Sequence, residues 1–432
     1  MTAEIAIMNK EAIALAADSA VSMDERDGMK IVNAANKLFS LSHSHPVGIM
    51  IYGNAGCLGV PWETITHTYR EKLGDKSFPT LEGYAKDFVA FLDKGNPLFP
   101  AEQQESHLYY SAYNFFNDVI LADLDSQAEE LISDSKEITF EDIRPLMTKT
   151  IKDHYATLAK TKNIPSIPKS FNKTVLDRYK KVIDRAIKDA FQELPLTRAQ
   201  KNYLRQIATF LPSRFPERYE SDDNSGIVIA GFGEKDYFPA LSSFNIAGIV
   251  NNRLKFKEYM SDRITLQEDA AIVPFAQIDE AEAFIVGVSP NYKNAELERL
   301  IEMFDSFSSF IAEQVGETDA DKEETYNMFM DISAELIDNF QKSMDDFQQE
   351  TVSPVLTVVS MLPKSELAVM AESLVNLTSF KQKVSIGSET VGGPIDVAVI
   401  SKGDGLIWIK KKQYFEPELN PQFFHRRFGS RS

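Results

Sequence analysis

Apolar and polar positions alternate from the first residues of the chain. Ile5 and Ile7 are separated by smaller side chains, Asn9-Lys10-Glu11 reads as a turn, and Ile13 and Leu15 resume the alternation before Asp18. This period of two predicts a pair of strands joined by a tight turn. Lys37 leads a short apolar strand through Leu41, and a further strand from Gly48 to Tyr52 runs into the glycine-bearing turn Gly53-Asn54-Ala55-Gly56. The period then changes to helical. Pro61-Trp62-Glu63 places proline and an acid in a first turn, and the helix runs to Leu73-Gly74. Thr80 is positioned to cap a second helix with Leu81, Tyr84, Phe88, Phe91 and Leu92 on one face, ending at Gly95-Asn96-Pro97.

Helical periodicity dominates residues 96–224, over 109–131, 140–158 and 175–210. A stretch of this length is not a structureless loop in a compact domain, so it reads as an inserted lobe. Its last long helix is basic, with Lys173, Arg178, Lys180, Lys181, Arg185 and Lys188 interleaved with apolar positions as on a solvated face. Strand patterns return at 226–232, 240–249 and 271–277, and Asp279 is placed to cap a helix reaching Val286. Residues 294–349 read as two acidic amphipathic helices split near Gly316, with Leu300, Met303, Phe304, Phe307 and Phe310 forming a stripe fit for a core or a partner surface. A helix over 365–380, strands over 391–400 and 406–410, and an aromatic, basic tail complete the chain. The sum is an α+β protein.

Composition narrows the function. With 432 residues, 43% hydrophobic and 11% aromatic, the chain can bury a large core in more than one lobe. A formal charge of -18 and a pI near 4.9 oppose nucleic acid and anionic membrane as partners. The single cysteine, Cys57, excludes an internal disulfide framework and fits packing at a helix start. Glu4 stands where a signal peptide is basic, and no apolar run approaches the ~20 residues of a membrane span, so a cytoplasmic protein is expected. His43 and His45 lack a third ligand nearby, and phosphate loops and Ser-His-Asp signals are absent, so no metal or cofactor is assigned.

Thr2 carries the candidate chemistry. Removal of Met1 would leave a hydroxyl and a free α-amine on one residue, and an amine of pKa ~8 serves as base at neutral pH. These residues alone fit better a tight hydrophobic hairpin whose second residue happens to be threonine.

Two further stretches change that balance. Asn36-Lys37-Leu38-Phe39-Ser40-Leu41 with the Gly48 to Gly56 segment, and Gly392-Gly393-Pro394-Ile395-Asp396-Val397-Ala398-Val399-Ile400-Ser401-Lys402-Gly403-Asp404-Gly405 at the far end, resemble the proteasome β-subunit family of N-terminal-nucleophile (Ntn) threonine hydrolases. The resemblance sets Thr2 at the family's terminal threonine, Asp18 at its strand-end acid, Lys37 at its lysine and Gly53 at its oxyanion-hole glycine, with nearly matching spacings. It implies a four-layer αββα Ntn-hydrolase sandwich interrupted by two helical insertions. The implied organisation is a first part of that domain at 2–95, a helical lobe at 96–224, a second part at 225–293, an acidic helical insertion at 294–352, a last part at 353–411 and a tail at 412–432.

The implied activity is a threonine-type endopeptidase acting on peptide or amide bonds. The implied assembly is a homo-oligomer, with an ATP-dependent unfoldase as a further partner. The chain also departs from the pattern. Where the family has an acid and a serine before the last Gly-Gly, it has Ser388 and Val391, and at the family's Gly-Ser-Gly-Ser it has Asp279-Glu280-Ala281-Glu282. Ser388, with an acid such as Glu280, is the candidate substitute for the group that polarises the terminal amine. A non-peptidase amidohydrolase on the same fold and a non-catalytic assembly subunit are the competing readings.

Overall fold

The structure is a computed structural model, and it describes residues 3–25, 28–32, 35–134, 140–192, 194–219, 224–276, 279–384 and 392–422. Thr2, Ser388 and Val391 lie outside the described residues. The chain opens with β1 (Ala3–Asn9), β2 (Ala12–Ala17), a hairpin of β3 (Val21–Glu25) and β4 (Gly28–Val32), then β5 (Leu38–Ser40), β6 (Val47–Gly53), and a tiny pair β7 (Gly56–Cys57) and β8 (Val60–Pro61). Helices come after these: α1 (Trp62–Leu73), α2 (Leu81–Leu92), α3 (Ala101–Asn114), a π-helical segment (Phe115–Leu121), α4 (Ala122–Asp134), α5 (Phe140–Lys160), α6 (Phe171–Phe191) and α7 (Arg198–Phe210). Strands β9 (Ser225–Gly231), β10 (Ala240–Val250), β11 (Arg253–Arg263) and β12 (Ala270–Ala276) come next. The chain closes with α8 (Asp279–Val286), α9 (Pro290–Val315), α10 (Asp319–Met361), α11 (Lys364–Val384), β13 (Asp396–Ser401) and β14 (Gly405–Lys410). It is a mixed helix and sheet protein of two compact units.

The first unit takes the described parts of 1–38, 237–240 and 263–432. Its sheet runs β12-β1-β2-β13-β14, every neighbour antiparallel. Across the first hairpin Ile5 faces Ala16, Ala6 faces Leu15 and Ile7 faces Ala14, each large against small, while Met8 faces Ile13. One face, with Ile5, Ile7, Ala14, Ala16 and Val397, packs on Leu367, Ala371 and Leu374 of α11. The opposite face is equally withdrawn from solvent, with Ala6, Met8, Ile13 and Leu15 at 0% exposure. The turn closes on the side chain of Asn9, whose Oδ1 accepts from the amides of Glu11 and Ala12, while its Nδ2 donates to the carbonyls of Val359 and Leu362.

Helices α9 and α10 project as an antiparallel hairpin, turned by Gly316 and by a capping box between Thr318 and Asp321. The stripe expected as core or partner surface is open in this chain, with Met303, Phe307 and Phe310 more than half exposed. Helix α10 continues through Pro354 to Met361, beyond the end of the expected acidic insertion at 352. Pro354 sits on an exposed stretch, where water can take the carbonyl that proline leaves unpaired. Strand β13 begins at Asp396 rather than near 391, because Gly392-Gly393-Pro394 forms a bend instead of a ladder.

The second unit takes the described parts of 39–236 and 241–262. Its sheet runs β11-β10-β9-β6-β5, with Val47 opposite Gly231 and Gly53 opposite Ser225. Strand β11 is not among the strands expected from the apolar period, because Lys255, Lys257 and Glu258 among its residues hide that period. Thr80 stands at the start of α2 but its hydroxyl makes no cap; the amide of Leu81 instead donates to Asp236 Oδ2 at 2.8 Å. The inserted lobe has its own core, including Phe116, Met147, Ile151, Tyr179, Ile183 and Leu204. Leu194 and Pro195 separate α6 from α7 where one continuous helical pattern is expected. A buried His154 ties the lobe together, its Nδ1 2.6 Å from the Tyr219 hydroxyl and its Nε2 3.0 Å from Asp123. Among the described residues no helix is long and apolar enough to cross a membrane.

Candidate functional site

Strand β2 ends at Ala17, and the chain turns at Asp18, which has no exposed surface. The amide of Asp18 donates to the carbonyl of Ala3 at 3.1 Å, so its carboxylate lies beside the start of β1. Oδ1 accepts from the amide of Ala3 at 3.2 Å and from Lys37 Nζ at 2.6 Å. Oδ2 accepts from the amides of Ala20 at 3.2 Å and Gly392 at 3.0 Å. Four donors thus meet one dry carboxylate, and charge-assisted bonds of this kind are about twice as strong as neutral ones.

Two further bonds bring in the distant Gly-Gly segment. The amide of Ser19 donates to the carbonyl of Gly392 at 3.1 Å, and its hydroxyl donates to that of Pro394. The carbonyl of Ser19 accepts from the amide of Ala35 at 3.1 Å, two residues before Lys37. The acid, the lysine and the closing Gly-Gly thus converge on the strand that begins immediately after Thr2. Lys37 is 5% exposed, so the ion pair is dry.

Glu4 completes the cluster, although neither the residue pattern nor the family resemblance assigns it a role. It is 2% exposed and stands opposite Ala17 and Phe275, and among the described residues neither carboxyl oxygen has a hydrogen-bond partner. Burial pushes its pKa up to about 8, with Lys37 opposing that shift and Asp18 adding to it. The available signal is a charged residue inside an otherwise apolar strand, since a carboxyl is almost never fully buried unless paired.

Gly53 lies in the second unit, at the end of β6. Its φ is +76°, and a Cβ there would stand 2.3 Å from the carbonyl oxygen of Asn224, so only glycine fits. The adjoining turn is braced by Ser225, whose hydroxyl donates to the carbonyl of Asn54 at 3.1 Å and accepts from Trp62 Nε1 at 2.9 Å. Cys57 packs behind this turn, and burial pushes its thiol up to about 12, which leaves it inert at neutral pH. Glu280, the expected stand-in acid, is on α8 and pairs with Lys381 of α11 at 3.0 Å. Among the described residues no group of three metal-ligating side chains occurs.

No family model matches the sequence, and no curated protein does. Among solved structures the chain is similar to Anbu (ancestral beta-subunit) from Yersinia bercovieri, at 9% identity and TM-score 0.28 over 99% of this chain and 95% of that one. It is similar to Anbu from Hyphomicrobium sp. strain MC1 at 9% identity and TM-score 0.28, over 99% of this chain and 98% of that one. Likeness of this degree fixes neither the fold nor the chemistry.

Proposed function

We propose that the chain is a proteasome-like N-terminal-nucleophile hydrolase of αββα architecture that attacks peptide or amide bonds with Thr2 after removal of Met1. One observation carries this reading: the buried Asp18 carboxylate joins the amide of Ala3, the ammonium of Lys37 and the amide of Gly392 at one point. A buried ion pair adds little net stability, so its retention next to a candidate nucleophile favours chemistry over structure.

In the proposed reaction the Thr2 hydroxyl attacks the carbonyl carbon and passes its proton to the terminal amine. Lys37 disfavours protonation of that amine by like charge and supports the developing alkoxide. Asp18 holds Lys37. Gly53 is suited to donate its amide to the oxyanion, because no side chain bars close approach. Ser388 is the remaining candidate for contact with the amine. The same reading implies a cytoplasmic homo-oligomer fed by an unfoldase.

A peptide epoxyketone tests the proposal, since it needs hydroxyl and amine on one residue to close its ring. Intact mass should show loss of Met1 and one adduct mapped to Thr2, abolished in Thr2→Ala. A protein that has lost Met1 and takes no adduct refutes the reaction. An adduct formed only by compact reagents assigns the closed-pocket amidohydrolase instead.

A further inference from the structure

Two surfaces of this chain take no part in the proposed reaction, and they are opposite in charge. The first is the α9–α10 hairpin of the first unit. Between Pro290 and Met361 it carries sixteen acidic residues against four basic ones, and each of the four is already paired with an acid of the same hairpin. Its apolar residues are in the open. Met303, Phe307 and Phe310 recur at helical spacing along α9, Met328, Ile332 and Leu336 do so along α10, and all six are exposed. The rings of Phe307 and Phe329 meet edge to face with centroids 6.3 Å apart, which brings the two rows to one side of the hairpin. Glu324, Asp331 and Glu335 are exposed beside the α10 row, each three or four residues from Met328 or Ile332.

The second surface is on the inserted lobe of the second unit. In a chain of net charge -18, α6 is an exception, with six basic residues against three acidic. Arg178, Lys181, Arg185 and Lys188 follow one another along it at three- and four-residue spacing, all exposed. Two of the helix's acids are engaged elsewhere, Asp184 with Arg205 and Asp189 with the Tyr109 hydroxyl. Aromatic rings adjoin this basic row. The Arg185 guanidinium lies 4.5 Å from the centre of the Tyr109 ring on α3, and that ring stacks on Tyr113 and meets the exposed Tyr110 edge on.

Exposed apolar rows of this extent mark an interaction site, and Phe, Met, Tyr and Arg are the side chains enriched where proteins meet. A second hairpin does not suit the first, because two such faces would set acid against acid. Nucleic acid and anionic lipid are repelled from it for the same reason. The basic, tyrosine-bearing face of α3 and α6 complements it in both charge and apolar character. We infer that the α9–α10 hairpin of one copy docks on the α3–α6 face of a second copy. The phenylalanine and methionine rows lie against the tyrosines, and the carboxylates beside Met328 meet the cations of α6. This contact does not depend on the chemistry of Thr2.

Sedimentation velocity of the full chain at micromolar concentration reads the contact. The parent should associate, and less so as salt rises from about 0.05 to 0.5 M. Reversing the hairpin with Glu324→Lys, Asp331→Lys and Glu335→Lys should weaken association about tenfold or more, and so should reversing the lobe with Lys181→Glu, Arg185→Glu and Lys188→Glu. Combined in one chain, or mixed as two proteins, the reversals should restore association, which damaged folds would not do. Met303→Ser with Phe310→Ser should weaken it about tenfold at a nearly unchanged melting temperature, because both side chains are more than half exposed.

A parent chain that stays monomeric overturns the inference. Association that survives either reversal, or that the mixture fails to restore, overturns it as well. Loss on the hairpin reversal alone would do the same by assigning the hairpin to a different basic partner. Epoxyketone labelling of these proteins reads the reaction separately, so an assembling chain that takes no adduct refutes the hydrolase and leaves the contact standing.

Discussion

Replacing Asp18 with asparagine deletes a charge while keeping the shape, and the hydrogen bonds set the cost. The carboxylate accepts on both oxygens, from Ala3 and Lys37 on Oδ1 and from Ala20 and Gly392 on Oδ2. Asparagine must turn its NH₂ toward one of these sides. Facing Ala20 and Gly392, it sets two buried backbone donors against a donor, at about 1–3 kcal/mol each. Facing Ala3 and Lys37, it leaves a dry ammonium without its counter-ion, and breaking a buried pair in this way costs about 3–5 kcal/mol. Neither orientation escapes, so about 3–5 kcal/mol of the first unit's stability should be lost. With a urea dependence of about 2 kcal/mol per molar, the midpoint should fall by roughly 2 M. Hydrogen exchange of the β1 and β2 amides, measured against urea, reports on this unit alone. Adding Lys37→Met should recover part of the loss, because the two residues form one network. Asp18→Asn unfolding within about 0.5 kcal/mol of the parent would mean that the four bonds do not hold the strand ends together.

The second unit carries two further predictions. Gly53→Ala should destabilise it by about 2–4 kcal/mol, from positive φ and the clash with the Asn224 carbonyl 2.3 Å away; a melting temperature within a degree of the parent would refute the close approach. His154 is held below its ordinary pKa by burial, against the pull of Asp123. The unfolded chain therefore binds more protons below the usual histidine range, and this unit's stability should decline as pH falls through ~6.5. His154→Gln should flatten that decline in urea titrations at several pH values, and an unchanged slope would remove the histidine as its cause.

The parts of the fold legible in the sequence are those whose period is undisturbed. The β1–β2 hairpin is visible because Ile5, Ile7, Ile13 and Leu15 alternate and Asn9 can close its own turn. Strand β11 is hidden because an edge strand tolerates lysines and glutamates that break the apolar count. The separation of α6 from α7 and the passage of α10 through Pro354 show proline in opposite roles, ending a helix in one place and riding an exposed face in the other. The meeting of Asp18 with Lys37 is expected from residue type and family spacing. The meeting with Gly392 rests on backbone amides, which every residue but proline possesses, so no side chain announces it.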